Sequence, residues 1–220
     1  MDKNYEHKQE QYFSNIRKEL LDLIPNENRN GTLLEIGAGS GDTLVYAKNN
    51  NYAKKVYGID LCALPNSSQK SNDIEEFLYG NIEEMDLPFK NDTFDVIVCG
   101  DVLEHLVDPH EAIEKIKKLL KPQGVLITSI PNIREWHVLV QIVLYGSFKY
   151  SDEGILDRTH LRFFCKKDIE QLFIDSNMQI LQNISALTVK GKGLKLINIV
   201  TLKIFEEFLT TQYYTVSRKR

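Results

Sequence analysis

The stretch Leu33-Leu34-Glu35-Ile36-Gly37-Ala38-Gly39-Ser40-Gly41-Asp42-Thr43 constrains this chain more than any other. Thr32 to Ile36 read as a short buried strand, apolar and followed at once by turn-forming residues. Gly37, Gly39 and Gly41 carry no Cβ, so the backbone there can approach a ligand closely. From Asp42 the apolar spacing turns helical through Leu44, Val45 and Ala47. Strand, glycine loop and helix in that order open a doubly wound α/β sheet, which binds ligands beyond the carboxyl ends of its strands.

The residues narrow the ligand. A dinucleotide fingerprint needs a glycine three positions after the second one, and Asp42 stands there. The Gly-Lys-Ser/Thr of a phosphate loop is absent, so neither NAD nor ATP is expected. Glu35 and Asp42 flank the loop with carboxylates, a poor cradle for a pyrophosphate and a tolerable one for a cationic ligand. A glycine turn with no ligand is the bland alternative. Val56-Tyr57-Gly58-Ile59-Asp60 weakens it, because this second short strand ends in a carboxylate near the offset of about 20 residues at which an acid meets a ribose.

Four segments now stand in order: Glu35-Ile-Gly-Ala-Gly-Ser-Gly41, Gly58-Ile-Asp60, Gly80-Asn-Ile82 and Phe94-Asp-Val-Ile-Val-Cys-Gly-Asp-Val-Leu-Glu-His105. In order and spacing they resemble the successive motifs of class I S-adenosylmethionine-dependent methyltransferases, and the resemblance covers nearly the whole chain. It implies a Rossmann-like, doubly wound, seven-stranded sheet, mostly parallel with the last strand antiparallel. It also implies one domain over residues 1–220, with 131–165 inserted after the fifth strand as a helical lid that binds the acceptor. The implied cofactor is S-adenosyl-L-methionine, bound by Glu35, Gly37, Ala38, Gly39, Gly41, Asp60, Leu61, Asn81, Ile82, Cys99, Gly100 and Val102. Leu61 is placed to lie against a flat ring. Asn81 stands where the family commonly has an aspartate bonded to the adenine amino group, and its side-chain carbonyl can accept the same bond.

A length of 220 residues suits one domain with room for a lid. A net charge of −4 argues against a general nucleic-acid binder. Cys62, Cys99 and Cys165 show no paired, metal or redox spacing and read as reduced thiols of a cytoplasmic protein. Met1 to Gln11 lack a signal-peptide core, and no run reaches the ~18 apolar residues of a membrane span.

Along the chain, Tyr5 to Ile24 read as an amphipathic helix, with Pro25 as its end. Pro65 to Asn72 read as a polar loop, Glu76 to Gly80 as a third strand and Phe94 to Cys99 as a strand buried on both faces. Asp108-Pro109 starts a helix that Pro122-Gln-Gly124 breaks, and Val125 to Ile130 follow as a fifth strand. Trp136 to Leu144 and Lys167 to Ser176 read as helices, Met178 to Val189 as a strand, Leu194 to Leu209 as a helix and Thr211 to Ser217 as the last strand. The helices at 136–144 and 194–209 carry more apolar residues than one buried face needs. A lid, a homodimer contact and a membrane contact all remain open for that surplus.

His105 and His160 are the candidate catalytic residues, with His137 behind them, because a hydroxyl acceptor must lose a proton as it is methylated. Asp101, Glu104 and His105 stand at i, i+3 and i+4, so a helical turn would put them on one face. Some quinone-biosynthesis methyltransferases carry a similar acidic-x-x-Glu-His run that binds a divalent metal. The aspartate here is one carbon shorter, and no metal ligand is assigned. A helix start, a general base and a metal ligand all stay open for His105. Gly154-Ile-Leu-Asp-Arg-Thr-His-Leu-Arg-Phe-Phe164 is similar to a segment of bacterial methyltransferases of surface-glycan pathways. There His160 could act as base and the arginines as anchors, or the polar residues could simply brace a lid.

The leading expectation is a methyltransferase acting on oxygen of a small-molecule or glycan-type acceptor, with no nucleic-acid substrate. The alternatives are a metal-dependent phenol or quinone O-methyltransferase and a non-catalytic cofactor-binding partner protein. Fold alone does not choose among them.

Overall fold

The computed structural model describes residues 16–187 and 204–220. The predicted first helix before Ile16, and the Leu194–Leu209 helix before Ile204, lie outside the described residues. The strands are β1 Gly31–Ile36, β2 Ala53–Asp60, β3 Glu76–Tyr79, β4 Phe94–Gly100, β5 Leu120–Pro131, β6 Met178–Ser185 and β7 Gln212–Lys219. They form one sheet in the order β3-β2-β1-β4-β5-β7-β6. The pairs from β3 through β5 are parallel, and β7 runs antiparallel to both β5 and β6. The chain leaves β1 outward to β3 and then returns to add β4 on the other side. That reversal leaves the crevice in which such sheets bind ligands at the carboxyl ends of β1 and β4.

The described helices are α1 Lys18–Leu21, α2 Asp42–Asn49, α3 Pro109–Leu119, α4 Trp136–Val143, α5 Lys166–Asp175 and α6 Glu206–Leu209. Period-two alternation divides the strands between two cores. Leu34, Ile97 and Leu126 join Ile113 and Ile116 of α3 and Ile169 and Phe173 of α5 on one face. Leu33, Val96, Val98, Val125 and Ile127 join Leu20, Leu21, Leu44 and Ala47 on the other. With both faces covered, β4 has to be apolar at nearly every position, as its sequence is.

The local signals act as their chemistry demands. Asp108 Oδ1 accepts from Glu111 N at 2.9 Å to cap α3, with Pro109 in the first turn. The break expected at Pro122–Gly124 appears inside β5: Phe94 pairs Leu120 and Val96 pairs Val125, so the residues between bulge out of the ladder. The first helix ends at Leu21, ahead of the predicted stop. After β5, fully buried Asn132 donates to Glu207 O at 2.7 Å and Thr210 O at 2.8 Å, holding the 132–164 segment to α6. Val138 of α4 is buried, whereas Val143, Leu144 and Tyr145 are exposed. No described helix is long and apolar enough to cross a membrane.

Candidate cofactor and acceptor site

The glycine loop is stitched to the end of β2. Gly37 N and Ala38 N both donate to Ile59 O, at 2.9 and 3.0 Å. Gly39 N donates to Asp60 Oδ2 at 2.7 Å and Cys62 N to Asp60 Oδ1 at 2.9 Å. Each oxygen of Asp60 thus holds one backbone N–H and keeps a second lone pair for a diol. Burial raises the Asp60 carboxyl, and these backbone bonds oppose the rise. Gly37 has φ +71°, and a Cβ there would lie 2.4 Å from Val102 Cγ2. Only glycine lets Val102 close against the loop from the β4 side.

Sequence reasoning missed Gln69. Its side chain, 4% exposed, donates to Gly39 O at 2.7 Å and Cys62 O at 2.9 Å and accepts from Leu64 N at 2.9 Å. Ser68 Oγ reaches Asp42 Oδ1 at 2.5 Å, and Ser40 Oγ reaches Asp42 Oδ2 at 2.7 Å. The polar stretch read as a loop therefore clamps the glycine turn. Its composition signals polarity but not where that polarity is spent. Leu61 stands at the rim, 43% exposed. Asn81 Oδ1 accepts from Glu83 N at 3.0 Å, capping the next turn, and Ile82 is buried beside it.

At the end of β4, Cys99 is fully buried in the apolar core, and burial pushes its thiol up. A Cβ on Gly100 would meet Leu20 Cδ1 at 2.8 Å and Arg17 Cδ at 2.9 Å. Arg17 is the second residue that sequence reasoning missed, since one cation in a polar helix gives no signal. Its guanidinium pairs with Asp101, and its N donates to Thr43 Oγ1 at 3.2 Å. Arg17 thereby ties the chain before α1 to both sides of the crevice.

Glu35, at the end of β1, is 1% exposed. Burial lifts its carboxyl to about 8, with Arg17 opposing and Asp60 adding to the rise. Among the described residues its Oε2 has no hydrogen-bond partner. A buried, unsatisfied carboxylate oxygen is costly alone and suits a site that receives a cationic group. Together with the diol-ready Asp60, it makes the crevice fit a ligand that carries both a ribose and a positive charge.

The predicted face of Asp101, Glu104 and His105 does not form. Asp101 has φ +53° and precedes a 3-10 turn, Leu103–His105, rather than a helix. Its carboxylate takes Arg17, Gln212 Nε2 and Ser129 Oγ, the last at 2.9 Å. His160 comes in instead. The rings of His105 and His160 meet edge to face with centroids 4.7 Å apart, and His160 Nε2 lies 4.0 Å from Glu104 Oε1. Backbone bonds from Leu161 N and Arg162 N to Glu104 O, each 2.9 Å, dock the 150–165 segment on this turn. Burial, and then His160, push the His105 ring down to about 4, which keeps it neutral at pH 7. Burial and Asp101 hold the Glu104 carboxyl well above the usual range.

The arginines of this segment brace it: Arg158 pairs with Asp152 at 2.6 Å and Arg162 donates to Val107 O. His137 bonds Glu135 at 2.6 Å at the start of α4.

A family model described as a methyltransferase domain matches residues 5–183. The Demethylmenaquinone methyltransferase of Lactiplantibacillus plantarum is 28% identical over 170 residues, 68% of this chain and 71% of that protein. The Ubiquinone biosynthesis O-methyltransferase of Haemophilus ducreyi is 33% identical over 108 residues, 46% of this chain and 45% of that protein. The match thus spans less than half the length of the second relative. Among solved structures, an S-adenosylmethionine-dependent methyltransferase from Mesorhizobium loti superposes with a TM-score of 0.64 at 14% identity, covering 93% of this chain and 98% of that one. At that identity the likeness is one of fold.

Proposed function

The chain belongs to this family of S-adenosylmethionine-dependent methyltransferases, and on that premise we propose that it methylates an oxygen of a small-molecule or glycan-type acceptor. One observation carries the reading. The crevice that suits a cationic ribose ligand and the Glu104–His105–His160 cluster lie at the same carboxyl edge of the sheet, joined through Asp101 and Arg17.

In this reading Asp60 takes the ribose hydroxyls, Glu35 faces the cationic end, Leu61 covers the flat ring and Asn81 reads its amino group. Backbone of Gly37 to Gly41 and of Cys99 to Val102 forms the walls, with Ile82 beneath. S-adenosylmethionine supplies, when bound, a methyl group on a sulfonium. The protein's part is to align the acceptor and keep the site dry, and alignment alone can contribute up to ~7–11 kcal/mol. Activation of the acceptor hydroxyl falls to the cluster of His105 and His160, where the neutral His105 ring can take up its proton.

A quinone-type acceptor is the second reading, favoured by the quinone-pathway names of the two relatives. Calorimetry with S-adenosylhomocysteine, followed by methyl-transfer assays on phenolic, quinol and carbohydrate acceptors, tests both. No cofactor heat ends the reading, and a methyl group found on carbon in the product overturns the oxygen assignment. The described fold, with no membrane-spanning helix, is compatible with cytoplasmic work on a soluble acceptor.

A further inference from the structure

We propose that the amino edge of the sheet, opposite the crevice, carries a binding site for a small polyphosphate anion. A cavity of about 450 Å³ opens there, where the parallel strands β1, β2, β4 and β5 begin. Arg29 stands just before β1, Lys54 and Lys55 lie in the first turn of chain of β2, and Lys121 is the second residue of β5. One carboxylate, Asp95 near the start of β4, shares the lining with these four cations. The whole chain has a net charge of −4, so this concentration of positive charge runs against its overall balance.

Two breaks in strand pairing aim the cations at one place. Successive residues of a regular strand point to opposite faces, which would part Lys54 from Lys55. Against β1, however, Gly31 pairs Ala53 and Thr32 pairs Lys55, leaving Lys54 as an extra residue. Such a bulge re-aims a side chain, and both lysines line the cavity. The second break is the bulge in β5, which takes Lys121 out of the ladder beside Asp95. Gly31 makes room for Asp95, since a Cβ on it would lie 2.5 Å from Asp95 Cγ. Asp95 Oδ2 accepts from Thr32 N and from Lys121 Nζ, both at 2.7 Å, so its charge is already engaged. Arg29 is held by its Nε bond to Ile24 O at 3.3 Å and by its place over the Tyr52 ring, 4.9 Å from the centroid. Lys54 and Lys55 are exposed, and among the described residues no carboxylate pairs with either.

The lining sets the class of ligand. Among the described residues it holds no aromatic ring and no large aliphatic side chain, so nothing there stacks on a base or grips an acyl chain. Ammonium and guanidinium donors spread around an open cavity suit several phosphoryl oxygens at once. The volume lies within the range of small-ligand sites. The chemistry recognised is therefore a chain of two or three phosphoryl groups, free or carried on a nucleotide. Lys55 and Asp60 stand five residues apart on β2, roughly 16 Å at about 3.3 Å per residue, so an occupant leaves the crevice open. The site does not depend on the methyl-transfer reading.

The test is calorimetry on the full chain at low ionic strength, with inorganic tripolyphosphate and ATP as separate probes and no divalent cation. The expected result is one saturable site per chain, with an affinity that falls steeply as salt is added. Changing Lys54→Gln and Lys55→Gln together should weaken it by at least about 10-fold, the loss of one charge-assisted bond. Both side chains are exposed, so the variant should fold, and circular dichroism checks it. Lys149→Gln with Lys167→Gln removes as much charge elsewhere and should leave the affinity within about 2-fold, inside the few tenths of a kcal/mol usual for distant sites. Saturating S-adenosylhomocysteine should not displace the probe. No saturable heat, an equal loss in the control pair, or displacement by S-adenosylhomocysteine overturns the proposal. Similar affinities for tripolyphosphate and ATP support recognition of the phosphate chain, whereas heat with ATP alone overturns it. A chain that transfers methyl groups yet binds neither probe would refute this inference and leave the proposed function standing.

Discussion

Gly37→Ala should be among the most damaging single-methyl changes available in this chain. The residue sits at φ +71°, where an L side chain costs about 1–2 kcal/mol. Its new Cβ would also lie 2.4 Å from Val102 Cγ2, well inside contact distance. Forcing a methyl into a packed site typically costs about 1–3 kcal/mol. The sum is about 2–5 kcal/mol, which in a chain of this size lowers Tm by roughly 4–20 °C.

The two contributions can be separated, because only the clash involves Val102. In a double-mutant cycle with Val102→Ala, urea unfolding should show a favourable coupling of about 1–3 kcal/mol, leaving the backbone strain of about 1–2 kcal/mol in the double variant. Cofactor affinity should follow the same order, since the glycine turn carries Gly39 N to Asp60. A Gly37→Ala protein within about 0.5 kcal/mol of the parent would refute the packing argument. Strict additivity with Val102→Ala would show that the two residues do not press on each other.

Asp60→Ala should weaken S-adenosylhomocysteine binding by about 1.5–3 kcal/mol, the range for hydrogen bonds to a charged group, and calorimetry with an unchanged Kd would remove Asp60 from the site. Glu35 titrates near 8 in the folded chain against 4.5 without its surroundings, so between those values the native state holds a proton that the unfolded chain has lost. Its contribution therefore makes stability fall as pH rises through that window. Glu35→Gln should flatten the decline of the urea midpoint between about pH 5 and 8, and an equal slope in both proteins would contradict the assignment. His105→Ala should cut turnover by about 10²–10⁴-fold with little change in cofactor affinity, and a near-parental rate would place acceptor activation elsewhere.

Much of this architecture is legible along the chain because its causes are local. The run Leu33 to Ile36 is apolar enough to be a two-sided buried strand, Gly37 to Gly41 admit left-handed backbone, and Asp108-Pro109 caps and starts α3. The order of strands and helices that follows leaves little choice but a doubly wound sheet, and with it the crevice beside Glu35 and Asp60. The site's remaining partners depend on separations that no local pattern reports. Gln69 meets Gly39 across 30 residues, and Arg17 meets Asp101 across 84. His160 reaches Glu104 only because Leu161 N and Arg162 N bind back onto Glu104 O. The spacing of Asp101, Glu104 and His105 suggests one helical face, but the positive φ of Asp101 and its pull toward Arg17 break that face apart. Periodicity determines which face of an element is buried, whereas which charge meets which across the sheet edge is decided only when the chain closes on itself.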